Sequence, residues 1–416
     1  KFWKLITVTG LLIFAVIWGC TENPVDLEKN LFSSDIQGVL RDTVLYPVQD
    51  STISQDVVVS TQLANRLLIG KLGNFETRIV LKFTNYDTIP RNAQINEAKI
   101  RFNAGEPIGP VTAPFQMMAY PVLNDWITNL DTINFDATAL LGETSVSGAP
   151  EDSTLYLELN QQGVDKVNFW LDTANVDENY GFYLDFSGAA FIQKFTSINS
   201  GASQDPALIV RYTRPGDTLT INDTLMATVD SYIYSGEIPT EPGYNYAATL
   251  DIHQTLLQFD LEGFANDFPN GVVINSANLQ MPVNRTYSLL DNFYGLFTLQ
   301  VVRLRSGFNG DSVVVDSSIG LTASISQWSP DSSYIEVLNE ADRVRLAQGM
   351  VQNQIRDTET EDGFLISFFD AVGSGSKIAN EKEYFSYLAF YRANNPNPGL
   401  RPRLVLTYWS PPSSRF

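Results

Sequence analysis

The chain has 416 residues, too many for one ordinary core, and its 25 Phe, 18 Tyr and 6 Trp provide ample material for packed sheets. Its 47 acidic residues outweigh 27 basic ones, for a formal charge of −20, and such a surface repels nucleic acid because phosphate contacts need Lys and Arg. One Cys and one His exclude an internal disulfide and any zinc site built on two or more Cys or on two or more His, and leave a His-dependent triad one possible base.

The first twenty residues, KFWKLITVTGLLIFAVIWGC, read as a leader. Lys1 and Lys4 make a basic start, and Leu5 to Trp18 form an apolar run shorter than the ~20 residues that cross a bilayer. Gly19 then precedes the single cysteine, Cys20. This segment resembles the signal peptide of a bacterial lipoprotein, with Ile17, Trp18, Gly19 and Cys20 in the place of the lipobox. The resemblance implies cleavage before Cys20, acylation of Cys20 and membrane attachment through several chains, where one chain is marginal. An uncleaved single-span anchor is the alternative; on either reading the rest of the protein lies outside the inner membrane. Thr21 stands where the family places an Asp for inner-membrane retention, which implies the outer membrane, on its periplasmic or cell-surface face. Glu22, Asp26 and Glu28 mark residues 20–37 as an acidic tether.

From residue 38 the chain reads as strands. TRIVLKF (77–83) alternates Ile79, Leu81 and Phe83 with Arg78, Val80 and Lys82, and AKIRFN (98–103) alternates Ile100 and Phe102 with Lys99 and Arg101. Period-two runs rich in Val, Ile, Phe and Tyr, separated by Gly, Asn, Asp and Pro, indicate half-buried antiparallel strands. NQQGVDKVNFWLDTAN (160–175) departs from that period, with Val164, Val167, Phe169 and Leu171 near helical spacing. Strand chemistry returns in DPALIVRYT (205–213), and TRPGDT (213–218) makes a short join.

The second part repeats the first. DTVLYPV (42–48) aligns with DTLTIND (217–223), TRIVLKF with QTLLQFD (254–260), and INEAKIRF (95–102) with INSANLQM (274–281). LELNQQGVDKV (157–167) aligns with EVLNEADRVRL (336–346), GFYLDF (181–186) with GFLISF (363–368), and DPALIVRYT with RPRLVLTYW (401–409). The offset drifts from 175 to 196, as when loops change length and strands do not, and a period near 180 fits a duplicated domain. NEADRVRLAQGMVQNQI (339–355) reads as the second copy's helix, with Asn339 as N-cap and Val344, Met350 and Val351 toward the sheet. The expected fold is all-β: two tandem jelly-roll-like antiparallel β-sandwiches, each with one short helix, after a lipoprotein signal peptide. The expected division is leader 1–19, tether 20–37, sandwich copies 38–213 and 216–409, and a tail 410–416.

At these repeated motifs the chain resembles the DNRLRE-type domains, a family of bacterial and archaeal extracellular β-sandwiches. The first family element is matched by Arg78, Ile79, Val80, Leu81, Lys82 and Phe83, echoed by Gln254 to Phe259. The second is matched by Ile95, Ala98, Lys99 and Ile100, echoed by Ile274, Ala277, Asn278 and Leu279. Pro206, Leu208, Val210 and Tyr212 match the closing element, echoed by Pro402, Leu404, Leu406 and Tyr408. Members resemble carbohydrate-binding modules, so the resemblance implies polysaccharide recognition.

Few residues offer chemistry. His253, in LDIHQTLLQF, sits at the start of an expected strand and reads as structural. No Gly-rich phosphate loop joins a strand to a helix, which argues against nucleotide use. Two acidic loops, DTANVDEN (172–179) and DTETED (357–362), occupy matching places; Asp172, Asp177, Asp357, Glu359 and Asp362 are candidate calcium ligands, with a solvated acidic loop as the alternative. Stacking on pyranose rings needs exposed aromatics, and Trp126, Trp328, Tyr244, Tyr246, Tyr287 and Tyr294 are the candidates, each equally readable as a packed aromatic. The expectation is a non-enzymatic, lipid-anchored envelope protein that binds polysaccharide or another surface polymer. The alternatives are a structural or secretion-associated component that binds envelope proteins and, further off, a polysaccharide lyase or hydrolase using paired carboxylates.

Overall fold

A computed structural model describes residues 39–54, 61–62, 64–172, 175–200, 205–251, 253–289, 297–306, 314–325, 334–336, 343–344, 346–356, 363–368 and 385–411. The described chain is all-β apart from short helices, as the period-two pattern predicts. Among the described residues no helix is long and apolar enough to cross a membrane. The leader, Cys20 and the tether lie outside the described residues.

The chain begins with two strands, β1 (Val39–Leu45) and β2 (Gln49–Ser54). The first body follows: β3 (Arg66–Leu72), β4 (Phe75–Lys82), β5 (Gln94–Ile108), β6 (Phe115–Pro121), β7 (Gly142–Val146), β8 (Thr154–Leu159), β9 (Phe182–Ser187), β10 (Ile192–Thr196) and β11 (Ala207–Thr213). Helix α1 (Gln161–Leu171) joins β8 to the β9 region. Antiparallel pairing runs β10-β3-β4-β9-β6-β7-β8-β5, and β5 also pairs β10, so eight strands close into a barrel-like ring. Closure depends on the length of β5: residues 94–103 pair β8 and β11, while Ala104, Gly105 and Ile108 pair β10. Two separate sheets were expected here, and the ring differs from that. Ile79, Leu81, Phe83, Ile100 and Phe102 fill the interior as the alternation predicts. Val80, on the opposite face of β4, is also buried, because residues 122–135 fold over it.

Two more strands, β12 (Thr220–Met226) and β13 (Val229–Ser235), precede the second body. That body contains β14 (Tyr244–Ala248), β15 (His253–Gln258), helix α2 (Leu261–Asn266), β16 (Val273–Leu289), β17 (Phe297–Ser306), β18 (Val314–Ile325) and β19 (Tyr334–Glu336). A π-helical turn (Leu346–Val351) runs into α3 (Gln352–Arg356), followed by β20 (Gly363–Phe368), β21 (Tyr387–Tyr391) and β22 (Arg403–Ser410). One sheet is ordered β1-β22-β16-β21-β14, with β19 beside β16; the other is ordered β18-β17-β20-β15-β2. Leu257, Phe259, Leu279, Phe364, Ile366, Leu404 and Leu406 from both sheets share one core. In β22, Leu404, Leu406 and Tyr408 face inward together, as their spacing predicts.

The strand pairings cross the boundary expected at 213–216. β1 and β2 do not join the first body: β1 pairs β22 over Val39↔Ser410 to Leu45↔Leu404, and β2 pairs β15 over Gln49↔Gln258 to Ser54↔His253. Reciprocally, β12 pairs β11 and β13 pairs β4. Each body is thus flanked by a two-strand arm that lies, in sequence, ahead of the other body. The bodies also share a core, in which Phe75 stacks on Phe385 at 4.4 Å beside Tyr246, Ala248 and Tyr387.

The sequence repeat is a register repeat. Ala98 opposes Val210 and Ile100 opposes Leu208; in the same way Ala277 opposes Leu406 and Leu279 opposes Leu404. A bulge interrupts both ladders at the matching place, beside Asn96 in one and Asn275 in the other. Each bulged strand start is held by a helix-borne amide. Ile95 N–H donates to Asn168 Oδ1 at 2.9 Å, and Asn168 Nδ2 donates to the Ile95 carbonyl at 2.9 Å. Ile274 N–H donates to Gln352 Oε1 at 2.9 Å. The repeated GF start has a steric cause: a Cβ on Gly181 would meet the Leu81 carbonyl oxygen at 2.2 Å, and one on Gly363 would meet that of Leu257 at 2.9 Å. In α1, capped by Asn160, the inward residues are Val164, Val167, Trp170 and Leu171; Phe169 is 36% exposed and does not face the core as expected. Met350 and Val351 are buried against the second core, whereas Asn339 lies outside the described residues.

Candidate functional site

Two sequence-nominated aromatics meet on the second body. Pairing of β14 with β21 places Tyr244 directly opposite Tyr391, with ring centroids 5.2 Å apart. On the other side of β21, β16 pairs through Asn284↔Ala389 and next through Leu289↔Tyr387, so residues 285–288 bulge out of the ladder. Local hydrogen bonds hold that bulge. Ser288 Oγ donates to the Asn284 carbonyl at 2.6 Å and accepts from Ala389 N–H at 2.9 Å, while Thr286 N–H donates to Asn284 Oδ1 at 2.9 Å. The bulge carries Tyr287, which is 38% exposed, to 5.1 Å from the Tyr244 ring.

Asn284 organises the hydroxyls, its Nδ2 donating to Tyr244 Oη at 2.7 Å and to Tyr391 Oη at 3.3 Å. The Tyr391 hydroxyl is pushed up in pKa, chiefly by burial and secondarily by Tyr244. The Tyr391 phenol therefore stays neutral at physiological pH, presenting a hydroxyl that both donates and accepts. Half-buried, mutually tilted rings with fixed hydroxyls can stack on an apolar ring face and hydrogen-bond to polar groups around it. Tyr391 was not nominated from the sequence. Alternation within YLAFY puts Tyr387, Ala389 and Tyr391 on one face, but only the pairing shows which residue each one opposes.

The other aromatic candidates go elsewhere. Trp126 is wholly buried, and its Nε1 donates to the Tyr180 carbonyl at 2.8 Å. It packs with Val80, Val122, Leu130 and Tyr183, where it covers the outer face of β4 and β9, so it is not a surface contact. Tyr246, two residues along β14 from Tyr244, is 2% exposed in the core between the bodies, and its hydroxyl accepts from Glu241 N–H at 2.8 Å. Trp328 and Tyr294 lie outside the described residues.

Of the calcium candidates, Asp172 and Asp177 are exposed, and Asp357, Glu359 and Asp362 lie outside the described residues. Among the described residues no group of three or more His, Cys, Asp or Glu is placed to hold a metal. His253 begins β15, is 4% exposed, hydrogen-bonds through Nδ1 to Ser54 Oγ at 3.0 Å, and is held below the ordinary imidazole range by burial.

A second depression, of about 410 Å³, lies across β8, β5, β11 and β12. Its charges are paired, Lys99 with Glu158 at 3.5 Å and Arg211 with Glu97 at 3.1 Å. Lys99 Nζ also sits 4.5 Å over the Tyr156 ring. Such exposed pairs contribute little energy and leave few free donors for a ligand. Among the described residues, Asp230 in β13 is a buried carboxylate. Burial pushes it up to about 7, while bonds from Ile198 N–H at 2.9 Å and Ser197 Oγ at 3.1 Å oppose that rise and Asp205 adds to it. At 1% exposure Asp230 fixes an arm to the first body and has no open path to a substrate.

No family model matches the chain, and no curated protein matches it. Among solved structures, a chain from the structure of the Macrobrachium rosenbergii nodavirus aligns over 91% of this chain and 98% of its own, at 10% identity and a TM-score of 0.12. A likeness at that score carries no argument about fold or function.

Proposed function

We propose that the protein is a lipid-anchored envelope protein of the outer membrane, built from two jelly-roll-like β-sandwich repeats of the DNRLRE type, which binds polysaccharide without catalysing a reaction. The observation that carries the binding reading is the patch of Tyr244, Tyr287 and Tyr391 with Asn284. Its rings offer stacking faces, and the hydroxyls of Tyr244 and Tyr391 are already oriented by one amide. The acidic surface suits neutral glycans, since it repels polyanions. Lipidation at Cys20 would hold the binding face at the envelope through the acidic tether.

The test is binding of residues 21–416 to immobilised neutral and charged polysaccharides, with and without calcium. A neutral glycan is the expected hit, weakened about tenfold by Tyr287→Ala at unchanged melting temperature, the loss of one stacking contact. A blank across the panel sinks the polysaccharide reading. A structural role toward envelope proteins would then lead, because among the described residues β1 is the edge strand of its sheet, with Val39, Leu40 and Val44 exposed.

A further inference from the structure

The two arms are equivalent in register. In β13, Asp230 opposes Leu81, Ser231 opposes Val80 and Ile233 opposes Arg78. In β2, Asp50 opposes Leu257, Ser51 opposes Leu256 and Ile53 opposes Gln254. Leu81 and Leu257 are the same repeat position, so the arms align Asp50 on Asp230 at an offset of 180, not the 175 that sequence alignment of DTVLYPV with DTLTIND suggests. The first strands of the arms agree, with Leu45 opposite Leu404 and Leu225 opposite Leu208. Both arm aspartates make the same anchor, a carboxylate accepting a backbone N–H from the loop that precedes the body's last strand. Asp50 accepts from Ala393 at 2.8 Å, and Asp230 from Ile198 at 2.9 Å.

The arms differ in how firmly they are seated. β12–β13 buries Leu225, Asp230, Ser231 and Tyr232. No side chain within β1 or β2 is fully buried, and Val39, Leu40, Val44, Tyr46 and Val48 are all at least 40% exposed. Arm β1–β2 is therefore held mainly by its two ladders and by polar anchors, Asp50 to Ala393 and Asn245, Thr52 to the Tyr246 N–H, and Asp42 to Thr407, with Leu45 and Ile53 only partly buried against the second body. All of these partners lie within the arm and the second body, so the same arm of another copy supplies them equally well.

We propose that the β15–β22 side of the second body is an acceptor site for a β1–β2 arm supplied by a second copy of this chain, so that copies join by arm exchange. The site is filled by the chain's own arm in the monomer and by a neighbour's arm in the assembly. Because the arm sits on a different body from the one it precedes, exchange joins the front of one copy to the rear of another. Repeated, it extends a row; returned, it closes a dimer.

The experiment uses residues 21–416 with a protease site inserted between Ser54 and Thr61, cut after folding. The cut chain is expected to take up a fluorescent peptide of residues 39–54, and the Asp50→Ala peptide to bind at least about tenfold less, as loss of charge-assisted hydrogen bonds predicts. In parallel, the uncut chain at rising concentration is followed by light scattering. Dimers or longer species are expected, and a Leu45→Cys/Leu404→Cys disulfide that locks the arm in place should abolish them. Absence of peptide uptake, a chain that stays monomeric at every concentration, or assembly that survives the lock would each overturn the proposal.

Discussion

Replacing Asp230 with Asn tests whether the buried arm aspartate costs stability at neutral pH. Burial raises its carboxyl from an ordinary 3.8 to about 7 in the folded protein. Between those values the folded chain binds a proton that the unfolded chain does not. Stability from this group is therefore greatest below about pH 4, falls as pH rises to about 7, and is level above. A gap of about three pH units at 1.36 kcal/mol each amounts to at most about 4 kcal/mol. Asn has the same shape, keeps an oxygen to accept from Ile198 N–H, and does not titrate. Urea unfolding of both proteins at pH 5 and pH 8 isolates the effect, because other titrating groups cancel in the difference. Asp230→Asn should gain on the parent between pH 5 and pH 8 by more than 1 kcal/mol (about one pH unit of linkage). An equal difference at both pH values would refute the assigned burial cost.

Two further substitutions separate packing from binding. Trp126→Ala should cost about 3–5 kcal/mol by emptying a wholly buried site, while polysaccharide binding per folded molecule stays at the parent level; calorimetry and the binding assay read the two effects separately. Asn168→Ala should cost about 1–3 kcal/mol, since the buried Ile95 loses the amide that meets both its N–H and its carbonyl, and Gln352→Ala should act in the same direction at Ile274. A melting temperature for Asn168→Ala equal to that of the parent would remove the clamp from the account.

The strands were legible because burial on one face writes a period of two, and the duplication was legible because both copies meet the same constraints. Gly181 and Gly363 persist because each faces a neighbouring carbonyl, and Ile95 and Ile274 because each follows the same clamp and precedes the same bulge. Periodicity reports which side of a strand is buried and is silent about which strand lies beside it. The crossing of β1 and β2 to the second body, and the closure of the first body through β5 and β10, are pairing facts of that kind. Trp126 shows the converse limit: its polar surroundings, LNDWITN, look like a surface loop, yet the segment folds back over β4. Of the tyrosine patch, Tyr244 and Tyr287 could be nominated from composition, while Tyr391 needed the register of β14 on β21.

Asp42 receives a hydrogen bond from Thr407 Oγ1 across 365 positions of sequence, within the ladder that joins β1 to β22. During synthesis β1 thus waits some 365 residues before its partner β22 exists. β12 and β13, by contrast, follow a body already made and can dock as they emerge. A circular permutant that begins at Thr61 and ends at Ser54, with the old ends joined across the Val39–Ser410 pair, would place each arm directly behind its own body. The native order instead leaves the second body to be completed by β1 and β22, two strands that lie far apart along the described chain.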